Sequence, residues 1–153
     1  MMHEKWMRRA LKEAALSGDD VPVGAVVVLN GLVIASAHNE RESASSSLAH
    51  AEMLALQRAG FALDSRRLTG CTLYVTLEPC PMCAGAVIMA GLGLCVFGAY
   101  DAQYGCCGSV YFLPADKHFN HTVPCIGGVL KTECEDMLET FFNTRRNQPK
   151  AKR

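Results

Sequence analysis

One histidine and two cysteines, well separated along the chain, impose the strongest constraint on its fold. His50 stands in Ala49-His50-Ala51-Glu52, and the cysteines stand in Pro79-Cys80-Pro81-Met82-Cys83. His and Cys at this spacing are typical zinc ligands, and a set of three leaves the fourth tetrahedral position open for a water molecule. The fold is therefore expected to bring His50 next to Cys80 and Cys83.

Glu52 is suited to handle the protons of such a water. It follows His50 by two positions, and a carboxylate beside an activated water can accept a proton and pass it on. Residues two apart on a regular helix point about 200° away from each other. We therefore expect the metal to lie off the end of a helix, with Ser47 as the N-cap and His50 in the first turn.

The alternative is a closed structural zinc site with a fourth protein ligand. His38, His118 and His121 are the available candidates. Structural sites usually carry two paired-ligand knuckles, whereas this chain has one Cys-x-x-Cys and a lone His followed by a Glu. The pattern favours an open, catalytic site.

Composition indicates one domain with a full hydrophobic core. The chain has 153 residues, half of them apolar, which is a normal size for a single domain. We expect residues 1–153 to form one zinc-dependent domain, with residues 147–153 as a flexible basic tail. No run of 18 apolar residues and no export signal is apparent, so no membrane association is predicted.

The eight cysteines do not predict a disulfide framework, because such frameworks belong to short secreted chains. Cys80 and Cys83 are assigned to metal, and the adjacent Cys106 and Cys107 have poor geometry for two ligands on one ion. The rest lie in apolar segments, where a reduced cysteine behaves as a small hydrophobe: Cys71, Cys95, Cys125 and Cys134. A cytoplasmic location is expected.

Charge is balanced overall but uneven at the end of the chain. There are 15 basic and 15 acidic residues, and the segment from Arg145 to Arg153 holds five basic side chains and no acid. Such a segment can contact phosphate or can simply be a solvated terminus. Both interpretations stay open.

The hydrophobic pattern predicts alternating helices and strands. Asn30-Gly31 is a strong hairpin signal, and Pro81 suits the first position of a helix capped by Cys80. Thr132 and Glu135 resemble a capping box. The predicted helices cover 3–17, 47–59, a segment from Pro81, and a last segment from Thr132; the predicted strands cover 23–29, 32–37, 71–77, 94–98 and 123–130. This order predicts an α/β fold with three layers (α-β-α), in which a five-stranded mixed sheet has helices on both faces.

The chain resembles the bacterial tRNA-specific adenosine deaminases of the cytidine deaminase-like superfamily. His-x-Glu with Pro-Cys-x-x-Cys is the signature of zinc-dependent nucleobase deaminases. Further matching stretches narrow the resemblance to the tRNA branch: Val21-Pro22-Val23-Gly24-Ala25, Asn39, Thr76–Gly85, Phe97-Gly98-Ala99-Tyr100-Asp101, Gly108-Ser109, Asn120-His121, Gly128-Val129-Leu130, and Phe141-Phe142 with Arg145-Arg146.

This resemblance implies an activity and a set of roles. The protein would convert adenosine to inosine at the wobble position of a tRNA anticodon, as a homodimer with one Zn²⁺ per subunit, through hydroxide attack at C6 of a flipped-out adenine. His50, Cys80 and Cys83 would hold the zinc, and Glu52 would shuttle protons. Asn39, Val23 and Ala51 would contact the target base, Asp101 would contact its sugar, and the last helix would meet the RNA backbone.

Several alternatives stay open beside it. A deaminase of a free base or nucleoside, of the guanine or cytosine type, would share the zinc motif and the fold. A non-catalytic zinc subunit is disfavoured, because Glu52 is present. Val23 can be strand core, Asn39 a turn residue, and Phe141-Phe142 a core stripe.

The chain also departs from the family pattern. Ser46-Ser47-Leu48 stands where Asp-Pro-Thr is usual before Ala-His-Ala-Glu. Gln103 replaces a common Lys, and Gly91 replaces a polar or basic residue. These changes concern loop placement and phosphate contact more than the zinc chemistry.

Overall fold

The computed structural model describes residues 2–148, and all of the elements below lie in that part of the chain. Their bounds are α1 Met2–Ala14, β1 Gly24–Leu29, β2 Leu32–His38, α2 Ala51–Leu63, β3 Thr72–Leu77, α3 Pro81–Ala90, β4 Leu94–Ala99, a 3₁₀ turn Leu113–Ala115, β5 Cys125–Ile126, and α4 Lys131–Arg146. Most of the predicted basic tail, residues 149–153, lies outside the described residues.

The five strands form one mixed sheet in the order β2-β1-β3-β4-β5. β1 is antiparallel to both β2 and β3, whereas β3, β4 and β5 run parallel. The carboxyl ends of β3 and β4 lie side by side, with Leu77 paired to Ala99. Loops that follow these ends therefore meet at one edge of the sheet, which is where α/β folds usually bind ligands.

Helices cover both faces of the sheet, as predicted. Side chains alternate between the faces of a strand, and the buried residues accordingly form two clusters. One cluster includes Val27, Leu73 and Cys95 together with residues of α2 and α3. The other includes Val26 and Tyr74 with residues of α1 and α4. The predicted three-layer α/β architecture is confirmed.

The first helix lies directly on the sheet because β1 begins with a glycine. A Cβ at Gly24 would lie 2.0 Å from the backbone oxygen of Ala10 and 2.4 Å from the backbone nitrogen of Ala14. Any larger residue would push α1 away from β1. Gly24 is therefore a packing requirement of this interface.

Of two predictions made from local sequence signals, the hairpin turn is confirmed and the capping box is not. Asn30 and Gly31 form the predicted turn, with φ of 50° and 74°, the left-handed values that a two-residue hairpin requires. The capping box is wrong. Leu130 is the N-cap of α4, without a side-chain cap bond, and Glu135 pairs instead with Lys131 at 3.4 Å.

The departure at Gly91 has a backbone reason. Gly91 ends α3 in the left-handed conformation, with φ of 70°, which glycine adopts at low cost.

The fifth strand is much shorter than the predicted 123–130, because Pro124 has no N–H for a strand ladder. In the described part of the chain, every helix is too short or too polar to cross a membrane.

Candidate active site

His50 stands at the start of α2 as its N-cap residue. Its backbone is extended, with φ of −72° and ψ of 148°, and the first helical residue is Ala51. The prediction that Ser47 caps this helix and that His50 lies in its first turn is therefore wrong. Because His50 is not helical, its side chain is not forced about 200° away from that of Glu52. Both side chains can serve one site.

The cysteines occupy the predicted positions at the start of α3. Cys80 is the N-cap, Pro81 is the first helical residue, and Cys83 lies in the first turn. The Nδ1 atom of His50 lies 3.7 Å from the Sγ of Cys80 and 3.6 Å from the Sγ of Cys83. These side chains come from two helix N-termini and converge on one point.

The donor set fits a tetrahedral metal ion. All three ligand atoms lie within 4.8 Å of one another. Zinc bonds of about 2.3 Å to sulfur and about 2.0 Å to nitrogen, at a tetrahedral angle, separate the two ligand atoms by roughly 3.5 Å. The observed separations match that requirement. His50, Cys80 and Cys83 can therefore bind a metal ion such as zinc.

The other candidate histidines have different partners. His38 Nδ1 lies 3.2 Å from the backbone oxygen of Asn39, and His118 pairs with Asp116 at 2.8 Å. His121 Nε2 lies 2.9 Å from the backbone oxygen of Leu92. Among residues 2–148, none of these three joins the group around His50. The closed structural site is not supported there.

Hydrogen bonds link the three ligand groups, which share protons in the absence of an ion. The hydrogen bond from Cys83 lowers the pKa of Cys80 to about 4, against an opposing effect of burial. The same bond, with burial, raises the pKa of Cys83, which keeps the proton. The interaction with Cys80 raises the pKa of His50. Metal binding would replace these shared protons, because bound thiolates are deprotonated.

Glu52 lies in the first turn of α2 and is almost fully buried, with 4% of its surface exposed. Burial raises the pKa of its carboxyl above the ordinary value, and the charge of His50 partly opposes this. A buried carboxyl whose pKa is raised holds a proton more readily than an exposed one, which suits the transfer of protons. The geometry thus places an acid–base group beside a metal-binding group.

Asn39 connects the loop after β2 to the start of α2. Its Nδ2 donates a hydrogen bond of 3.0 Å to the backbone oxygen of Val21, and its Oδ1 accepts one of 2.9 Å from the backbone N–H of Ala51. Both Asn39 and Ala51 are buried. The bond to Ala51 fixes the backbone between His50 and Glu52.

A cleft of about 830 Å³ opens over these groups. Six of the predicted site residues line it: Val23, Asn39, His50, Glu52, Cys80 and Asp101. Ala51 and Cys83 are fully buried and lie behind its surface. The Oδ1 of Asp101 accepts hydrogen bonds of 3.0 Å from the backbone N–H groups of Gln103 and Tyr104. Asp101 therefore shapes its own turn at the rim.

Two further cleft residues, Arg41 and Tyr104, were not singled out from sequence, whereas Tyr100 and Phe142 were named there without a place in the cleft. Arg41, Tyr100, Tyr104 and Phe142 all line the cleft. Arg41 is held by Asp20, with its Nε 3.4 Å from the carboxylate. Phe142 is 44% exposed, so the core alternative for this residue is wrong. Phe142 lies on an amphipathic helix, and the periodicity of such a helix does not show whether an apolar side chain lines a cleft or packs in the core.

Glu78 organises the loop from Asp101 to Ser109, here called the 101–109 loop. Its carboxylate, only 2% exposed, accepts backbone hydrogen bonds from Asp101 at 3.1 Å and from Cys107 and Ser109 at 3.0 Å each. The hydroxyl of Ser109 donates to it as well. The sequence signal for this role is a charged residue directly after the apolar strand β3, because a buried carboxylate requires hydrogen-bond donors.

Comparison with known proteins agrees with this geometry. The MafB19-like deaminase family matches residues 1–145. A protein of Bacillus subtilis (strain 168) called tRNA-specific adenosine deaminase is 49% identical over 98% of this chain and 94% of its own length. Another of that name, from Haemophilus influenzae, is 41% identical over 98% of this chain and 88% of its own length.

Solved structures extend the comparison. A structure from studies of A-to-I editing by tRNA:A34 deaminases has a TM-score of 0.83 at 37% identity, and the match covers 87% of this chain and 98% of that one. A guanine deaminase from Nitrosomonas europaea has a TM-score of 0.77 at 27% identity, over 90% and 83% of the two chains. With its His50, Cys80 and Cys83 group beside a buried Glu52, the chain belongs to the tRNA-specific adenosine deaminases of the MafB19-like deaminase family.

Proposed function

We propose that this enzyme hydrolytically deaminates adenosine to inosine at the wobble position of a tRNA anticodon. This substrate is proposed because the chain is 49% identical, over nearly its full length, to a relative called tRNA-specific adenosine deaminase. The convergent His50, Cys80 and Cys83 donors, with buried Glu52 beside them, support the hydrolytic chemistry.

The proposed cofactor is one Zn²⁺ per subunit, held by His50, Cys80 and Cys83. When bound, zinc lowers the pKa of a water molecule so that a nucleophile is available at neutral pH. The 3.6 Å and 3.7 Å separations of the donor atoms suit its bond lengths. Both ligand segments lie at helix N-termini, whose partial positive charge favours the thiolate form of the cysteines.

Glu52 is proposed to move the protons of the reaction. Its carboxylate takes a proton from the attacking water and delivers it to N1 of the adenine as C6 is attacked. It then carries the remaining proton of that oxygen to the amine, so that the C6–N bond breaks and ammonia leaves. Burial raises the pKa of this carboxyl, which makes it a better proton acceptor than an exposed carboxylate. Acid–base catalysis of this kind contributes about 10²–10⁴-fold to the rate.

The base is proposed to bind against Asn39, Val23 and Ala51. A side-chain amide has two N–H donors and two acceptor lone pairs. The two protein bonds of Asn39 use one donor and one lone pair, which leaves one of each for the edge of the base. Val23 offers an apolar contact, and Asp101 at the rim is proposed to contact the ribose.

The RNA is proposed to enter the cleft as an unpaired loop, because flipping a loop nucleotide costs the least unstacking energy. Exposed Phe142 and Tyr104 on the cleft wall offer flat faces on which neighbouring bases can stack. Arg145 and Arg146, in the last turn of α4, are proposed to contact phosphate. The last helix is thus assigned to the RNA backbone.

The experiment that tests this function compares RNA with free bases. The zinc-loaded protein is incubated with an anticodon stem-loop carrying adenosine at the wobble position, and inosine is measured by chromatography of the digested RNA. Free adenosine, guanine and cytosine are incubated in parallel. We expect inosine from the stem-loop alone.

The second candidate function is deamination of a free base such as guanine. It is favoured by the similarity in fold to a guanine deaminase, with a TM-score of 0.77. Conversion of guanine without conversion of the stem-loop would replace the proposed function with this one. A stem-loop with guanosine at the wobble position is the matched negative control.

A homodimer is the proposed assembly. Exposed apolar side chains on α2 and α3, with Phe61 87% and Met89 81% exposed, flank a depression of about 320 Å³ lined by Met53, Leu56 and Ala86. An exposed apolar patch can pair with the same patch of a second copy across a two-fold axis. Met89→Glu is expected to give monomers in light scattering, whereas Leu32→Glu, at an exposed hairpin position, should leave dimers.

The proposed location is the cytoplasm, where tRNA is available and ligand thiols stay reduced. We further propose that the whole chain acts as a single deaminase domain. Limited proteolysis of the zinc-loaded protein is expected to trim residues near its ends and leave one resistant core.

A further inference from the structure

A second group of cysteines lies away from the residues assigned to catalysis. The sulfur atoms of Cys95, Cys107 and Cys125 all lie within 4.8 Å of one another. The group shares no residue with the His50, Cys80 and Cys83 group. It was not foreseen from sequence, where Cys107 was judged a poor ligand together with Cys106 and the other two were assigned to apolar packing.

Three different segments hold these thiols in place. Cys95 on β4 and Cys125 on β5 are directly paired across parallel strands. Cys107 comes from the 101–109 loop, where its backbone N–H donates a hydrogen bond of 3.0 Å to the Oε2 of Glu78. Cys95 and Cys107 are buried, whereas Cys125 is half-buried. Strand pairing and the loop bond to Glu78 therefore fix the positions of the three thiols, and Cys125 is the one that is partly exposed to solvent.

We propose that Cys95, Cys107 and Cys125 form a second metal site, which takes a thiophilic divalent cation of the zinc class with three thiolate ligands and a solvent molecule in the fourth position. A tetrahedral zinc with bonds of about 2.3 Å requires sulfur atoms roughly 3.8 Å apart. The observed limit of 4.8 Å leaves only a small contraction. Soft thiolates select such ions over hard cations.

Charge also favours a divalent cation here. The carboxylate of Glu78 lies next to this group, with its Oε2 bonded to the backbone N–H of Cys107, so three thiolates here would bring several negative charges together. Binding releases the thiol protons to solvent, and the ion takes over the role of those protons.

The proposed site would link three parts of the fold. It joins β4, β5 and the 101–109 loop, and this loop carries Asp101 at the rim of the cleft. Metal binding adds to folding free energy when the unfolded chain cannot form the site. The ion would hold the loop that borders the active site.

Counting bound ions tests the proposal. Protein purified with reductant and excess zinc, then desalted, is examined by native mass spectrometry. We expect two zinc ions per chain in the unaltered protein and one in Cys125→Ala. Cys134→Ala is the matched control, because Cys134 is a buried thiol of the other core cluster, and it should keep two ions. His50→Ala should keep one, which separates this site from the catalytic one.

Chemical labelling of the unaltered protein provides a second test of the metal site. Iodoacetamide should alkylate Cys125 in the metal-free protein and should not do so after zinc is added, as read by peptide mass spectrometry. A single zinc ion per chain in the unaltered protein, two ions in Cys125→Ala, or a disulfide between two of the three cysteines under reducing conditions would each overturn the proposal.

Discussion

The side chain of Asn39 accepts a hydrogen bond of 2.9 Å from the backbone N–H of Ala51, the residue between His50 and Glu52. The N–H groups of the first helical turn have no partner within the helix. Because His50, as N-cap, makes no side-chain cap bond, Asn39 satisfies one of these groups from the start of the loop that joins β2 to α2. A residue expected to contact substrate is thus also part of the scaffold of the site.

Asn39→Ala is expected to lower stability and metal affinity together. It leaves the buried Ala51 N–H without its partner, at about 1–3 kcal/mol, whereas the Val21 carbonyl keeps its bond from the Val23 N–H. Loss of a supporting bond next to a ligand should weaken zinc binding by about 10–100-fold. Urea denaturation and competition with a zinc indicator measure the two effects. Asn143→Ala, at an exposed position, should change neither; unchanged zinc affinity in Asn39→Ala would contradict the role given to this bond.

Glu52→Gln is expected to separate chemistry from metal binding. The amide keeps the shape of the side chain but cannot accept and return a proton, so kcat should fall by about 10²–10⁴-fold. Zinc content, measured by mass spectrometry, should stay at that of the unaltered protein, because Glu52 is not among the three converging donors. Near-normal turnover in this variant would remove Glu52 from the mechanism.

Glu78→Gln is expected to loosen the 101–109 loop. The carboxylate accepts three backbone hydrogen bonds and one from the hydroxyl of Ser109, whereas an amide turns one end into a donor that faces other donors. Hydrogen bonds to a charged group are each worth about 1.5–3 kcal/mol. Hydrogen–deuterium exchange should accelerate across the loop and stay unchanged in α1. Equal protection of the loop in both proteins would refute this role.

Removal of the metal is expected to make Cys80 more reactive toward alkylation than Cys83. Without an ion, the Cys80 thiolate, whose pKa is lowered to about 4 by its bond from Cys83, is ionised at neutral pH and half-buried. The thiolate is the reactive form, so iodoacetamide should label Cys80 much faster than the buried, protonated Cys83. Peptide mass spectrometry of chelator-treated protein measures this ratio, and added zinc should suppress the labelling.

Gly24→Ala is expected to destabilise the contact between α1 and the sheet. The added Cβ would overlap backbone atoms of Ala10 and Ala14, and overpacking of this kind costs about 1–3 kcal/mol or more. Gly85→Ala is the matched control. It lies inside α3 with no neighbour within 4 Å of its added Cβ, so the better helix propensity of alanine should raise stability by about 0.5–1 kcal/mol. Thermal unfolding of both variants compares them.

Much of the site could be predicted because its signals are local. A Pro after a Cys marks a helix start, and the ligand types with their spacing indicate a three-ligand site. The hairpin at Asn30-Gly31 and the amphipathic pattern of α4 are likewise properties of short segments. The predicted start of α2 was wrong because helix caps depend on which nearby group meets the first N–H donors, and here that group comes from Asn39.

By itself, the amino-acid sequence determined the alternation of helices and strands and predicted the candidate ligands and the candidate acid–base residue, because these follow from residue chemistry and periodicity within a few turns. Only the tertiary structure decided the rest. Cys95, Cys107 and Cys125 meet through the pairing of β4 with β5 and through the loop held by Glu78. Contacts between residues far apart in the chain leave no local pattern, since strand pairing and loop closure bring them together.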